Sequence, residues 1–303
     1  MNWRLRSARA ALAIVLVMVA AACGSTSSGT GSKGTITIAG FKFSEGSVLM
    51  YLYGQALAHD GYTVNYKPNL GSREVVAPAI ENGQIDLYIG YAATDLEFYN
   101  KGAGEATGDV NATVAKLNQH LQTQKLEALT PSNTIDTNAF AVTKATADRY
   151  SLKTLSDLAK VSKQLVMGGP PECKTRPFCV PGLKSVYGIT FKDFKTLDAD
   201  GTLTRAAFAN GSIQVGLVFS SDADLNSLGL VVLQDDKHLE SADNVVPVIR
   251  TAVASDEVKK VLNAISAKLT TPDLINLNAQ VQLQHQDADA ATKAWLDQNN
   301  YGQ

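Results

Sequence analysis

The chain has 303 residues, 27 Lys and Arg against 29 Asp and Glu, a formal net charge of −2 and 45% hydrophobic residues. That is the composition of an ordinary globular protein, and with a charge so near zero nothing suggests a nucleic-acid partner, which would want a basic face. Beyond the first two dozen residues no apolar stretch approaches the roughly 20 residues needed to span a bilayer.

Arg4, Arg6 and Arg9 give the N-terminus a basic head, 10–22 is almost wholly apolar, and Ala20, Ala21 and Ala22 lead into Cys23. A basic head, a short apolar core and small residues before a cysteine form a secretory signal of the lipoprotein kind. The expectation is a signal over 1–22, diacylation of Cys23 and an extracytoplasmic protein held to a membrane by two acyl chains. The competing reading is an uncleaved helical anchor with an incidental cysteine. Residues 24–32 are only Gly, Ser and Thr, so 23–33 reads as a flexible tether. Gly29, Gly31 and Gly34 make a GxGxxG by chance: a dinucleotide loop needs its strand before the glycines, and here the strand follows.

From Thr35 the pattern alternates as a strand through Ile36 and Ile38. Ser44 and Glu45 open a helix with Val48, Leu49, Leu52, Ala56 and Leu57 on its apolar face, closed at Gly61. Tyr62, Val64 and Tyr66 make a second strand, Ser72 caps a helix through Ile80, and Ile85, Leu87 and Ile89 make a third strand. This order predicts a parallel sheet with helices on both faces. Further helices are expected over 110–124, 152–159 and 203–209, strands over 139–143, 165–167 and 215–219, an extended 245–249, and helices over 258–269, 274–281 and 288–298. Two α/β blocks and a helical tail point to a bilobal clamshell, with ligand at the carboxyl ends of strands and the starts of helices.

Three constellations could carry chemistry. In 69–73, Gly71 precedes the helix-opening Ser72 and Arg73, a geometry that either receives a carboxylate or phosphate or simply faces water. Asp86 and Tyr88 share one face of a strand running on to Tyr91, either a receptor for a methylated cation or core tyrosines beside a turn aspartate. The segment 170–188 holds Cys173, Arg176, Cys179 and Tyr187; Tyr187, and Phe219 at another strand end, either wall a site or pack. With Cys23 lipidated, Cys173 and Cys179 remain for an oxidising compartment, as a local disulfide or as free thiols. A metal site is not expected, since no His stands near these sulfurs. Neither is a cofactor, and the sequence holds no GxSxG, HExxH or P-loop.

At these residues the chain resembles the extracytoplasmic substrate-binding proteins of osmoprotectant ABC transporters, the ProX-like binders of glycine betaine, carnitine and choline. The matching stretches are Phe43-Ser44-Glu45, Asn69-Leu70-Gly71-Ser72, 82–88 continuing to Tyr91, 176–188, 218–222, 233–236 and 247–250. The resemblance implies an α/β, type II periplasmic-binding-protein-like clamshell with two crossover strands. Lobe I would be 34–138 with 247–303, and lobe II 139–246. It also implies an aromatic cage around a trimethylammonium group, and a membrane permease and a cytoplasmic ATPase as partners of a monomeric solute receptor. The cage would be Tyr88, Tyr91, Tyr187 and Phe219, with Ser72, Arg73 and Asp86 near the polar parts of the ligand. The chain departs from the family pattern where relatives commonly carry Pro-Glu-Tyr-Thr-Gly-Thr and residues 89–94 read Ile-Gly-Tyr-Ala-Ala-Thr, and Ser47 and Phe219 stand where tyrosine is frequent. The same fold would also serve a sensory receptor. A hydrolase using Asp86 or Glu172 lacks a nucleophile–base pair.

Overall fold

The computed structural model describes residues 32–301. The expected signal, Cys23 and nearly all of the tether lie outside the described residues. The first half opens with β1 (Thr35–Phe41), α1 (Ser44–His59), β2 (Thr63–Gly71), α2 (Arg73–Glu81), β3 (Leu87–Tyr91), α3 (Ala92–Tyr99), α4 (Val110–Leu121) and β4 (Leu126–Ala128). The second half runs through β5 (Asn138–Thr143), α5 (Lys144–Tyr150), α6 (Leu155–Val161), β6 (Val166–Gly169), α7 (Val180–Tyr187), β7 (Asp193–Thr196), α8 (Thr202–Ala209), β8 (Val215–Phe219) and β9 (Leu230–Leu233). The chain then returns as β10 (Val245–Arg250) and ends in α9 (Asp256–Lys268), α10 (Thr271–Gln282) and α11 (Ala288–Gln298).

Two five-stranded sheets result, in the orders β2-β1-β3-β10-β4 and β7-β6-β8-β5-β9. The repeated strand–helix units are parallel as expected: β1 pairs in parallel with β2 and β3, and β6 with β7 and β8. The sheets are nevertheless mixed. β10 runs antiparallel to β3 and β4, and β5 antiparallel to β8 and β9. Both are the strands by which the chain enters a sheet from the other half, so they start at the junction where the parallel strands end. Hydrophobic alternation carries no direction, which is why the sequence pattern did not separate them. The two connections between the halves touch through an antiparallel bridge between Ile135 and Asn244.

Each half closes over its own core. In the first, Ile38, Val48, Leu49, Leu87 and Val248 lie between the sheet and α1, with Leu262 and Trp295 of the C-terminal helices packed against them. In the second, Phe140, Leu158, Met167, Leu183 and Val215 are buried together in one cluster. Local capping fixes several helix starts: Asp109 accepts from the amides of Asn111 and Ala112, and Thr154–Asp157 and Thr270–Asp273 form capping boxes. Ser72 stands at the N-cap position of α2, but its hydroxyl donates to the Glu74 carboxylate at 2.6 Å instead of capping the backbone. The unforeseen elements α3, β4, α5, β7 and β9 are short, and β7 (Asp-Phe-Lys-Thr) is a polar edge strand. Segments of that length carry too few periods to stand out. Among the described residues no helix is long and apolar enough to cross a membrane.

Candidate functional site

All six parallel strands point their carboxyl ends at one place. β1 ends at Phe41, β2 at Gly71, β3 at Tyr91, β6 at Gly169, β7 at Thr196 and β8 at Phe219. Between these ends lies a cleft of about 620 Å³ lined from both halves. The position follows from the topology, since open α/β sheets leave their crevice beyond the carboxyl ends of the strands.

An aromatic wall crosses the cleft. Phe43, just before α1, stacks on Phe219 of the second half with centroids 5.2 Å apart, and it lies 6.4 Å from Tyr91 and 5.9 Å from Phe41. The Arg73 guanidinium covers the Phe41 ring at 5.0 Å. The turn from β2 into α2 supplies Asn69, Leu70 and Ser72. Gly71 is required there, because a Cβ would stand 2.7 Å from the Val75 Cβ. The second half contributes Pro170, Glu172 and Arg176 after β6, and Asp198 after β7. Asp198 is spent on its own backbone: it accepts the amides of Leu203 and Thr204, each at 2.9 Å, and so opens α8.

Charges line the floor. Arg73 is 4% exposed and its Nε donates to the Asp95 carboxylate, which is wholly buried. Asp243 and Asp136 come from the two connecting segments. Asp243 accepts the Thr94 amide at 2.9 Å and the Thr94 hydroxyl. Burial pushes its carboxyl up to about 6, against the pull of those hydrogen bonds. Asp136 accepts the Ser221 amide at 2.9 Å and the Ser220 hydroxyl at 3.2 Å. Burial drives it well above the usual carboxylate range, and the nearby charge of Glu45 adds to the rise. Glu45 itself is buried, and burial raises it too, offset in part by hydrogen bonds from Ser221, Tyr91 and Asn278. The cleft is thus an aromatic-walled space with the carboxyl groups of Asp136 and Asp243 on its floor and cationic and hydroxyl groups along its lining, and aromatic faces of this kind suit a compact cation without hydrogen-bond donors. Among the described residues no cluster of His, Cys, Asp and Glu is arranged to hold a metal ion.

Of the residues expected in the site, Ser72, Arg73, Tyr91 and Phe219 line this cleft. Tyr88, Tyr187 and Asp86 do not. Tyr88 is fully buried in the first core with its ring edge-on to Phe41 at 5.6 Å. It stands near the amino end of the central strand β3, three residues before the carboxyl end that borders the cleft, so its ring is packed under the wall instead of forming it. Tyr187, at the end of α7, donates its hydroxyl to Asp235 and accepts the Lys237 amide at 2.6 Å, all within the second half. Asp86 precedes β3, at the amino end of the parallel strands and away from the cleft. There it pairs with Arg250 at 2.9 Å and accepts the Thr37 amide at 2.9 Å. Cys173 and Cys179 are joined as a disulfide with Cα atoms 5.2 Å apart. Phe43, Thr94, Asp136, Asn138, Asp198 and Asp243 line the cleft although they were not among the residues expected to wall or contact the ligand. Phe43 alone had a usable signal, as the aromatic residue between the first strand and the first helix.

Comparison with known proteins shows the family and the fold. Residues 34–298 match the family described as the substrate binding domain of ABC-type glycine betaine transport systems. A glycine-betaine-binding protein of Pseudomonas aeruginosa is 26% identical over 277 residues, 88% of each chain. The carnitine transport binding protein OpuCC of Listeria monocytogenes is 27% identical over 283 residues, 89% of this chain and 88% of the relative. A crystal structure of a glycine betaine/carnitine/choline ABC transporter protein is 25% identical, with TM-score 0.68, covering 88% of this chain and all of that one. Lactococcal OpuAC in its closed-liganded form has the same fold, at 16% identity and TM-score 0.65 over 89% of this chain and 97% of that one. This chain belongs to the substrate-binding domain family of ABC-type glycine betaine transport systems.

Proposed function

We propose that this chain captures a quaternary-amine solute of the glycine betaine, choline or carnitine type between its two halves and hands it to an ABC importer's permease. The observation that carries the reading is the wall itself: Phe43 from one half and Phe219 from the other, 5.2 Å apart, beside Tyr91. A methylated ammonium has no N–H to satisfy and gains from such faces, about 0.5–2 kcal/mol per ring as desolvation becomes complete. The Asp243 carboxylate, with its value of about 6, adds attraction for the cation near neutral pH, while Ser72, Arg73 and Arg176 suit the polar end of the solute. The names of the relatives, binders of glycine betaine and carnitine, point the same way.

The halves in this reading are 34–138 with 247–303, and 139–246, supported by the membership of the strands in the two sheets. The receptor works outside the cytoplasm as a monomer, held to the membrane by lipid on Cys23, with an ATPase on the cytoplasmic side of the permease. The test is a thermal-shift and calorimetric panel of glycine betaine, choline, carnitine, proline and a neutral sugar. A ligand at about 100 times its dissociation constant adds about 2.7 kcal/mol of stability. Stabilisation by a quaternary amine and not by the sugar is expected. Silence from all three quaternary amines, with a hit from a neutral solute, would move the chain to another ligand class.

A further inference from the structure

Behind the aromatic wall sits a buried carboxylate that the ligand reading leaves unused. Glu45 lies in the first turn of α1 and is 3% exposed. Its Oε1 accepts the Tyr91 hydroxyl at 2.5 Å, and its Oε2 accepts the Asn278 amide at 2.6 Å and the Ser221 hydroxyl at 2.5 Å. The three donors come from β3 in the first half, from α10 near the C-terminus, and from the segment just after β8 in the second half. Asn278 also reaches the Ser221 carbonyl and hydroxyl at 3.3 Å. A carboxylate is the one side-chain group that accepts at both oxygens and donates nothing, which is what three converging donors require. Ser221 lies two residues beyond Phe219, and Tyr91 is itself part of the wall.

We propose that Glu45 is a positioning residue: it locks Tyr91 and the 219–222 segment into one arrangement, so that the approach of the two halves and the shaping of the aromatic wall are a single event. The inference rests on the ligand reading only for its binding arm. Without the carboxylate, Ser221 loses its partner in the first half, and Phe219 is no longer held opposite Phe43. Tyr91 would be free to turn its hydroxyl toward the cleft. Hydrogen bonds to a charged group are the stronger kind, so the coupling should be visible in a single substitution.

The experiment uses the full chain and Glu45→Gln, which keeps the size of the side chain and replaces one acceptor by a donor. Hydrogen–deuterium exchange of the ligand-free protein reads the junction directly. Amides of 219–222 and 276–279 should exchange about tenfold faster in the variant, while those of the distant core strand β6 stay as in wild type. Calorimetry with glycine betaine and with choline should show about tenfold weaker binding, lost through faster dissociation. Ser221→Ala, which leaves the carboxylate in place, should speed exchange at 276–279 as well as around its own position. Wild-type exchange at both segments in Glu45→Gln overturns the proposal, and so does a uniform acceleration through both cores, which marks a general loss of stability. If Glu45→Gln does not fold, Ser221→Ala decides alone: wild-type exchange at 276–279 overturns the proposal. If neither probe binds the wild type, the binding arm passes to carnitine, silence from all three amines sinks the ligand reading, and the exchange data still decide the role of Glu45.

Discussion

Arg176 of the second half donates to Glu74 of the first, from Nε to Oε1 at 3.1 Å and from a terminal nitrogen to Oε2 at 2.9 Å. The pair bridges the two halves, and Arg176 lines the cleft. Both residues are partly solvated, so the contact should be worth about 1 kcal/mol or less. Its effect should show in release rates. Arg176→Met is expected to speed solute dissociation about three- to fivefold, on the order of 1 kcal/mol, and to remove most of the salt dependence of that rate. Stopped-flow dissociation at low and high KCl checks this, and unchanged rates would show the rim pair to be idle.

The pH dependence of that pair has a definite sign. Burial disfavours the Glu74 carboxylate, but the hydrogen bonds and charge of Arg176 outweigh it and hold the group at about 2. A carboxyl held below its unfolded value contributes above that value, and loses its contribution as pH falls toward the folded one. The rim contact should therefore be constant from about pH 5 to 8 and weaken only in stronger acid. Dissociation rates that change between pH 5 and 8 in wild type but not in Glu74→Gln would contradict this.

Asp243 titrates the other way. Its folded value of about 6 lies above the unfolded one, so its contribution is complete in acid and is lost as pH rises through about 6. Asp243→Asn should lose part of the decline in stability that wild type shows between about pH 4 and 7. Urea midpoints across that range measure it, and parallel profiles for the two proteins would exclude Asp243 as the source.

The wall residues separate the cleft from the core. Phe43→Leu and Phe219→Leu should each weaken a quaternary amine about tenfold, the scale of one desolvated ring. Tyr187→Leu should leave affinity within about twofold and instead lower stability, since its hydroxyl serves Asp235 and Lys237 in the second half. Calorimetry and thermal melts on the three variants check the contrast. A Tyr187→Leu variant that is stable but cannot bind would return Tyr187 to the site.

The Cys173–Cys179 bond closes a loop with Arg176 inside it. Replacing both cysteines by Ala should cost about 2 kcal/mol for so short a loop, and should blunt the effect of Arg176 on release. Alkylation of the native secreted protein with and without reduction, read by intact mass, tests the bond itself; two thiols that react without reductant would rule it out. The same fractionated cells test the anchor: Cys23→Ser should leave the membrane fraction.

The sequence alone was enough for the two α/β blocks, the family and the segments that meet at the cleft. Those properties reside in local alternation, in helix starts such as Ser44-Glu45, and in the order of short motifs. It also carried four of the wall and rim positions, Ser72, Arg73, Tyr91 and Phe219, because each stands where a parallel strand gives way to the next element. Tertiary structure decided the rest. Whether an aromatic residue near a strand end faces the cleft or the core depends on which sheet layer covers it, and this separates Tyr91 from Tyr88. Which end of a strand faces the ligand depends on strand direction, which sent Asp86 to the far edge and brought Asp136 and Asp243 to the floor at the starts of antiparallel strands. Glu45, Ser221 and Asn278 are separated by 176 and 57 residues along the chain. Only the return of the chain through β10 into the C-terminal helices brings them together, and no local pattern records a contact that chain closure creates.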